Sequence, residues 1–277
     1  MSLKNKRVVI TGVAGGLGRK TAELLVEHGA RVVGIDVREP GDAGRVGRFL
    51  RCDLTRREEL QPTIAQALDF LGGGIDILIN NAGTLSLQDA GIRPTTSSRN
   101  SVDVNFWAPW TLTAELMPYL LHSHGKVINI ASLFAYINAP LIPSYGAGKR
   151  AVSAFSDSLR MQYHGQISVT TMYPGFIDTG IHTDAVRQGL SVAKIIDIRP
   201  LGLKLLSFEE SVESAAHGVL RACRRNYRDV GTTRLGTLSL WFARHMPRFV
   251  DAFIRTRVNY LVRRGTLKIE LDQPTFP

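Results

Sequence analysis

The 277 residues include 44% hydrophobic and 21% charged side chains, which suits one large folded domain and argues against long disordered stretches. No apolar run approaches the roughly 18 residues of a membrane span, MSLKNKRVVITG has no signal-peptide core, and Cys52 and Cys223 form no redox or metal-ligand motif, so a cytoplasmic chain without a metal site is expected. The net charge of +10 is local: Arg221 to Lys268 holds twelve Lys or Arg against two acids, and the rest of the chain is neutral.

Arg7 to Thr11 (RVVIT) reads as a strand, and Leu17 to His28 as a helix closed by Gly29. Between them lies TGVAGGLG. Its glycines at 12, 16 and 18 let backbone approach a ligand, and the following helix start offers N–H groups to phosphate. The spacing G-x-x-x-G-x-G differs from the G-x-G-x-x-G fingerprint. Arg31 to Asp36 is a second strand. It ends on an acid 18 residues after Gly18, where a carboxylate can accept from ribose hydroxyls and repel a 2′-phosphate. NAD is therefore expected over NADP, although Arg19 and Arg38 lie close by and pull the other way.

Thr55-Arg56-Arg57-Glu58 reads as a capping box opening a helix to about Leu71, followed by a buried strand at Ile75 to Ile79. Asn105 sits in the helical stretch VDVNFWAP. Pro109 has no N–H, so the Asn105 carbonyl loses its helical partner, and a kink with room for an ordered water is expected. Lys126 to Ala131 is a strand leading to Ser132, which is either a turn cap or a donor at the sheet's carboxyl end. Ser144 to His164 is a helix with Tyr145 and Lys149 on one face, one turn apart. Ile167 to Met172 returns to strand. Short apolar strands alternating with helices predict an α/β doubly wound parallel sheet, a Rossmann fold, as a single domain over residues 1–232.

Ile181 to Phe208 is rich in Ile and Leu, and residues 180–208 read as a substrate lid. Residues 233–277 form a basic extension with helices at Leu235 to Met246 and Pro247 to Arg264. Leu238, Trp241, Phe242, Met246, Phe249, Phe253 and Ile254 recur at helical spacing, with Arg244, Arg248 and Arg255 on another face. The extension is expected to pack over the cleft or a subunit partner, or to meet an anionic membrane surface. No nucleic-acid motif accompanies it.

TGVAGGLG (11–18), CDLT (52–55), NNAG (80–83), Asn105, Ser132, Tyr145 with Lys149, and PGFIDT (174–179) stand in the order of the short-chain dehydrogenase/reductase family, which the chain resembles over residues 4–232. The resemblance implies an oxidoreductase moving a hydride between NAD(H) and a secondary alcohol or ketone, apolar or lipid-like, as in hydroxysteroid and retinol-type members. It implies an adenine pocket at Asp53, Leu54 and Asn81-Ala82-Gly83, and nicotinamide contacts at Pro174, Gly175 and Thr179. Gly12, Gly15, Gly16, Leu17, Gly18, Asp36, Val37, Cys52, Val104, Ile177, Tyr145 and Lys149 complete the implied cofactor set. Tyr145 would pass the proton, Ser132 would orient the oxygen, and Asn105 would hold a relay water. Leu133, Phe134, Tyr136 and Phe176 are expected near the substrate mouth.

A free phenol near pKa 10 needs a neighbouring cation to act at neutral pH, and Lys149 is placed to supply it. The family also implies a homodimer or homotetramer. One position departs from its pattern: Gly148 stands where serine usually precedes the lysine, at a cost in helix propensity alone. A nucleotide-binding regulatory protein, or a lyase or epimerase of the wider superfamily, are the rival readings.

Overall fold

The computed structural model describes residues 2–137, 139–177 and 209–265. Seven strands form one sheet in the order β3-β2-β1-β4-β5-β6-β9, every neighbouring pair parallel. They are β1 (Arg7–Thr11), β2 (Arg31–Asp36), β3 (Arg48–Arg51), β4 (Ile77–Asn80), β5 (Lys126–Ile130), β6 (Ser168–Tyr173) and β9 (Asp229–Gly231). β7 (Phe176–Ile177) and β8 (Glu209–Glu210) pair separately. The order reverses between β1 and β4, and open sheets of this kind bind ligands at that switch point, beyond the strands' carboxyl ends.

Period-2 alternation builds two cores. Val8, Ile10, Val32, Ile77 and Ile79 face α1 (Gly16–Glu27) and α6 (Val212–Arg224). Val9, Val33, Ile35, Leu78 and Val127 face α2 (Arg57–Leu71), α4 (Ala108–His122) and α5 (Pro143–Gln162). Strands buried on both faces need hydrophobic residues at nearly every position, which accounts for runs such as VVI and ILI.

Several polar residues inside this core find partners, as burial favours. Asn80 Nδ2 donates to Asn129 Oδ1 (2.7 Å) and Thr113 Oγ1 (3.0 Å), and Asn129 Nδ2 donates to Ser156 Oγ (2.8 Å). Lys126 is buried, and its ammonium donates to the carbonyls of Ala222 and Arg225, both at 2.7 Å. These carbonyls lie at the C-terminal end of α6, where a cation complements the helix dipole.

Three expectations change or sharpen. The capping box does not form: α2 starts at Arg57 behind Arg56, which makes no side-chain cap among the described residues. Thr55 Oγ1 instead donates to Asp53 Oδ1 (2.7 Å), and Glu59 Oε2 accepts from the Asp53 N–H (2.8 Å). The kink expected near Asn105 takes the particular form of a π-helical turn, Asp103–Trp107, between α3 (Thr96–Val102) and α4. Pro109 follows that turn and cannot donate to Asn105, so the backbone widens. The C-terminal helices α7 (Arg234–His245) and α8 (Pro247–Arg263) form as expected, but Arg244, grouped in sequence with the exposed Arg248 and Arg255, turns inward. Its Nη1 donates to Asp229 Oδ2 (2.8 Å), and its guanidinium lies 5.0 Å from the Tyr136 ring centre. The expected lid, residues 180–208, lies outside the described residues.

Candidate active site

The loop from β1 into α1 supplies the floor of the site. Gly12 has φ +78°, which favours glycine, and a Cβ on Gly18 would overlap the Gly12 carbonyl and the Asn81 amide. Gly15 caps α1 through backbone alone, with no side-chain cap among the described residues, so the first N–H groups of the helix stay available to an anion. Thr11 stitches the neighbouring NNAG loop onto β1: its Oγ1 accepts from the N–H groups of Asn81 (3.0 Å) and Ala82 (2.9 Å). Asn81 Nδ2 in turn donates to the Thr11 carbonyl (2.9 Å).

Asp36 closes β2 beside this loop. Its Oδ2 accepts from the Ala14 N–H (2.9 Å) and its Oδ1 from the Arg38 N–H (3.0 Å). The carboxylate is thereby held against the glycine loop, a contact that no local sequence rule shows. Each oxygen keeps a further lone pair for a ligand hydroxyl.

A cleft of about 790 Å³ runs from Asp36 across the switch point to Tyr145. Every expected cofactor residue from Gly12 to Ile177 lines it, including Val37, Cys52, Asp53, Leu54, Val104, Pro174 and Gly175; Thr179 lies outside the described residues. Sequence reasoning did not single out Thr84, Leu85 or Asn100, which also line it, because nothing local distinguishes them. A groove rather than a closed cavity, a glycine floor and an acid at one end suit an elongated phosphate-bearing dinucleotide.

At the far end, Ser132 starts a 3-10 turn (Leu133–Ala135) after β5. The turn-cap reading of this serine is realised, and its side chain also lines the cleft. Its Oγ accepts from the Phe134 N–H (3.2 Å), and the same hydroxyl acts on the Tyr145 phenol, pulling its pKa down. The Leu133 N–H donates to the Pro174 carbonyl (3.0 Å), which ties this turn to the PG segment. Lys149 Nζ donates to the Ile130 carbonyl (2.9 Å) and lies 5.9 Å from the Tyr145 ring centre. Both side chains are buried.

Burial decides their acidity. It pushes the Tyr145 phenol up, against a smaller pull down from Ser132, and it pulls Lys149 down to about 8. Without a bound nicotinamide, desolvation is the largest influence on the phenol and leaves it above its ordinary value. Lys149 still carries its proton at neutral pH, since about 8 lies above it.

Asn105 is buried outside the cleft lining. Its Nδ2 donates to the carbonyls of Thr84 (2.6 Å) and Ser101 (2.7 Å), while its Oδ1 is buried without a partner among the described residues. Gly148 explains this packing. A Cβ there would lie 2.9 Å from Asn105 Cβ, so glycine lets α5 close onto the π-helical turn. Its effect is steric contact, beyond the helix-propensity cost expected from sequence.

Leu133, Phe134 and Phe176 are buried behind the cleft rather than on its lining, with Phe134 edge-on to Tyr145 at 6.3 Å. Tyr136 turns away from the cleft, its hydroxyl 3.2 Å from Ser153 Oγ and its ring between Arg150 and Arg244.

A parallel α/β sheet with a glycine-floored cleft ending on a Ser–Tyr–Lys cluster defines a nucleotide-dependent oxidoreductase. Residues 6–189 match the family model described as short chain dehydrogenase. An 11-beta-hydroxysteroid dehydrogenase A from Sesamum indicum is 27% identical over 98% of this chain and 79% of its own. A short chain dehydrogenase from Burkholderia cenocepacia in complex with NADP superposes with a TM-score of 0.74 at 22% identity, covering 92% of this chain and 99% of that one. A Brucella melitensis 3-ketoacyl-(acyl-carrier-protein) reductase complexed with NADH gives 0.70 at 22% identity, covering 83% and 97%. The chain belongs to the short-chain dehydrogenase family and is an NAD(P)-dependent oxidoreductase acting on alcohols or ketones.

Proposed function

We propose that this enzyme interconverts an apolar secondary alcohol and its ketone with NAD(H), using Tyr145 as the proton-exchanging group. The observation that carries the reading is the gathering of Ser132, Tyr145 and Lys149 on the lining of one cleft, with the Lys149 ammonium 5.9 Å from the Tyr145 ring centre. The nicotinamide, when bound, supplies or accepts the hydride. Ser132 donates to the substrate oxygen and holds it beside Tyr145. In reduction the phenol gives its proton to that oxygen, and the Lys149 cation favours the phenolate so formed; in oxidation the phenolate takes the alcohol proton. Lys149 would also hold the nicotinamide ribose. Asn105 acts outside the cleft, by supporting a water relay that reloads the site with protons; its unpartnered Oδ1 supports this.

The Asp36 carboxylate at the cleft's ribose end supports NAD over NADP, because it would meet a 2′-phosphate charge against charge. Named hydroxysteroid dehydrogenases among the relatives support an apolar, ring-bearing substrate. The exposed stack of Trp107 and Trp110 on Phe155, at ring distances of 5.6 and 5.1 Å, supports a homodimer or homotetramer formed through α4 and α5. Residues 1–232 would be the catalytic unit, and 233–277 an extension outside the chemistry. The free, buried Cys52 and Cys223 fit a reducing cytosol.

Tyr145→Phe tests the reading. Turnover of hydroxysteroids and related apolar alcohols, followed by NADH absorbance, should fall by about a thousandfold, with NADH still bound by fluorescence. Full turnover in this variant removes Tyr145 from the chemistry.

A further inference from the structure

We propose that the outer face of α7 and α8 seats this enzyme on an anionic lipid surface. A surface helix normally turns its apolar side inward and its polar side to water. α7 is apolar on both. Leu240 and Ala243 are buried on the inner side, while Leu238, Trp241 and Phe242, with Met246 just past the helix end, stand exposed on the outer side, at spacings of three and four residues. Phe249, in the first turn of α8, is 63% exposed. Seven of the twelve exposed large hydrophobic side chains among the described residues fall between Leu238 and Val262, so exposed apolar side chains concentrate on these two helices.

The charge around the patch selects the occupant. Arg234, Arg248, Arg255, Arg263 and Arg264 are exposed, and Asp251 is the one acid between Arg234 and Arg264. A second copy of the chain would set this basic face against itself. A nucleic acid would use the arginines without a row of aromatic and aliphatic side chains to desolvate. Aromatic anchors with arginines beside them match the boundary between acidic headgroups and acyl chains. Among the described residues no helix is long and apolar enough to cross a membrane, so the contact is peripheral.

The inner side of α7 gives the contact a stiff mount. Arg244 holds Asp229 and the Tyr136 ring, and α7 packs on the 3-10 turn that follows Ser132. The helix that meets lipid is thus tied to the catalytic end of the cleft. Docking itself does not depend on which substrate is used.

Flotation with phosphatidylcholine vesicles containing phosphatidylserine, against pure phosphatidylcholine, tests the proposal. The full-length protein should float with the anionic vesicles, weakly with the neutral ones, and release in high salt. Arg248→Gln and Arg255→Gln should each weaken binding about fivefold. Trp241→Ser and Phe249→Ser should each weaken it about tenfold or more. All four variants should keep the parent melting temperature and NADH-linked turnover, which separates a docking defect from misfolding or a wrong reaction. No flotation with anionic vesicles, or flotation unchanged by both aromatic substitutions, overturns the proposal. Binding to duplex DNA that matches vesicle binding and ignores Trp241→Ser also overturns it. So does a solution oligomer that ignores vesicles and that Phe249→Ser dissociates.

Discussion

Replacing Gly148 with alanine sets two opposed effects against each other. Alanine gains about 1 kcal/mol of helix propensity over glycine in the interior of α5. The added methyl, however, would sit 2.9 Å from Asn105 Cβ, where carbon atoms prefer roughly 3.5–4.0 Å. Asn105 Cβ is joined directly to backbone, so no flexible side-chain end can swing aside. The π-helical turn must retreat by about 0.5–1 Å, and overpacking of this kind costs about 1–3 kcal/mol. The retreat also stretches the bonds from Asn105 Nδ2 to Thr84 and Ser101, now 2.6 and 2.7 Å. The net expectation is a loss of about 0–2 kcal/mol in stability, with kcat lowered about 10- to 100-fold through the displaced amide. Gly148→Ser should behave alike. Denaturant unfolding gives the first quantity and steady-state NADH turnover the second. A variant stabilised by about 1 kcal/mol with kcat intact would refute the steric reasoning, since it would mean that the methyl fits.

Two further outcomes follow from the cleft. Burial holds Lys149 near 8 against an ordinary 10.5, so below about pH 8 the folded state carries a buried-charge penalty that the unfolded chain lacks. That penalty is relieved as pH rises towards 10.5, because there the unfolded chain binds the extra proton. Between about pH 7 and 10 the parent protein should therefore gain roughly 2–3 kcal/mol of stability relative to Lys149→Met, measured by urea unfolding; parallel curves would contradict the assignment. The raised Tyr145 acts in the opposite sense above about pH 10, where the unfolded phenol loses its proton first, and it is common to both proteins. Asp36→Ala removes the charge that faces a 2′-phosphate and leaves Arg38 beside it, so the ratio of kcat/KM for NADP over NAD should rise about tenfold or more. An unchanged ratio would show that Asp36 does not set the preference.

Much of the fold and the site is readable along the chain because it depends on local periodicity. Alternating apolar runs bury both faces of a strand wherever they fall, so β1, β2, β4, β5 and β6 could be placed within a few residues. β3 escaped because Arg48 and Arg51 bracket only two apolar residues. The glycine loop and the Tyr145–Lys149 pair are legible for the same reason: one needs only backbone freedom, the other only the pitch of a helix. What folding alone decided joins residues far apart in sequence. Ala14 meets Asp36, Asn105 meets Thr84 and Gly148, and Arg244 meets Asp229 and Tyr136. A helical stripe in sequence says that two faces differ, not which one meets the core. Only packing, which buried Leu240 and Ala243, left Trp241 and Phe249 facing outward.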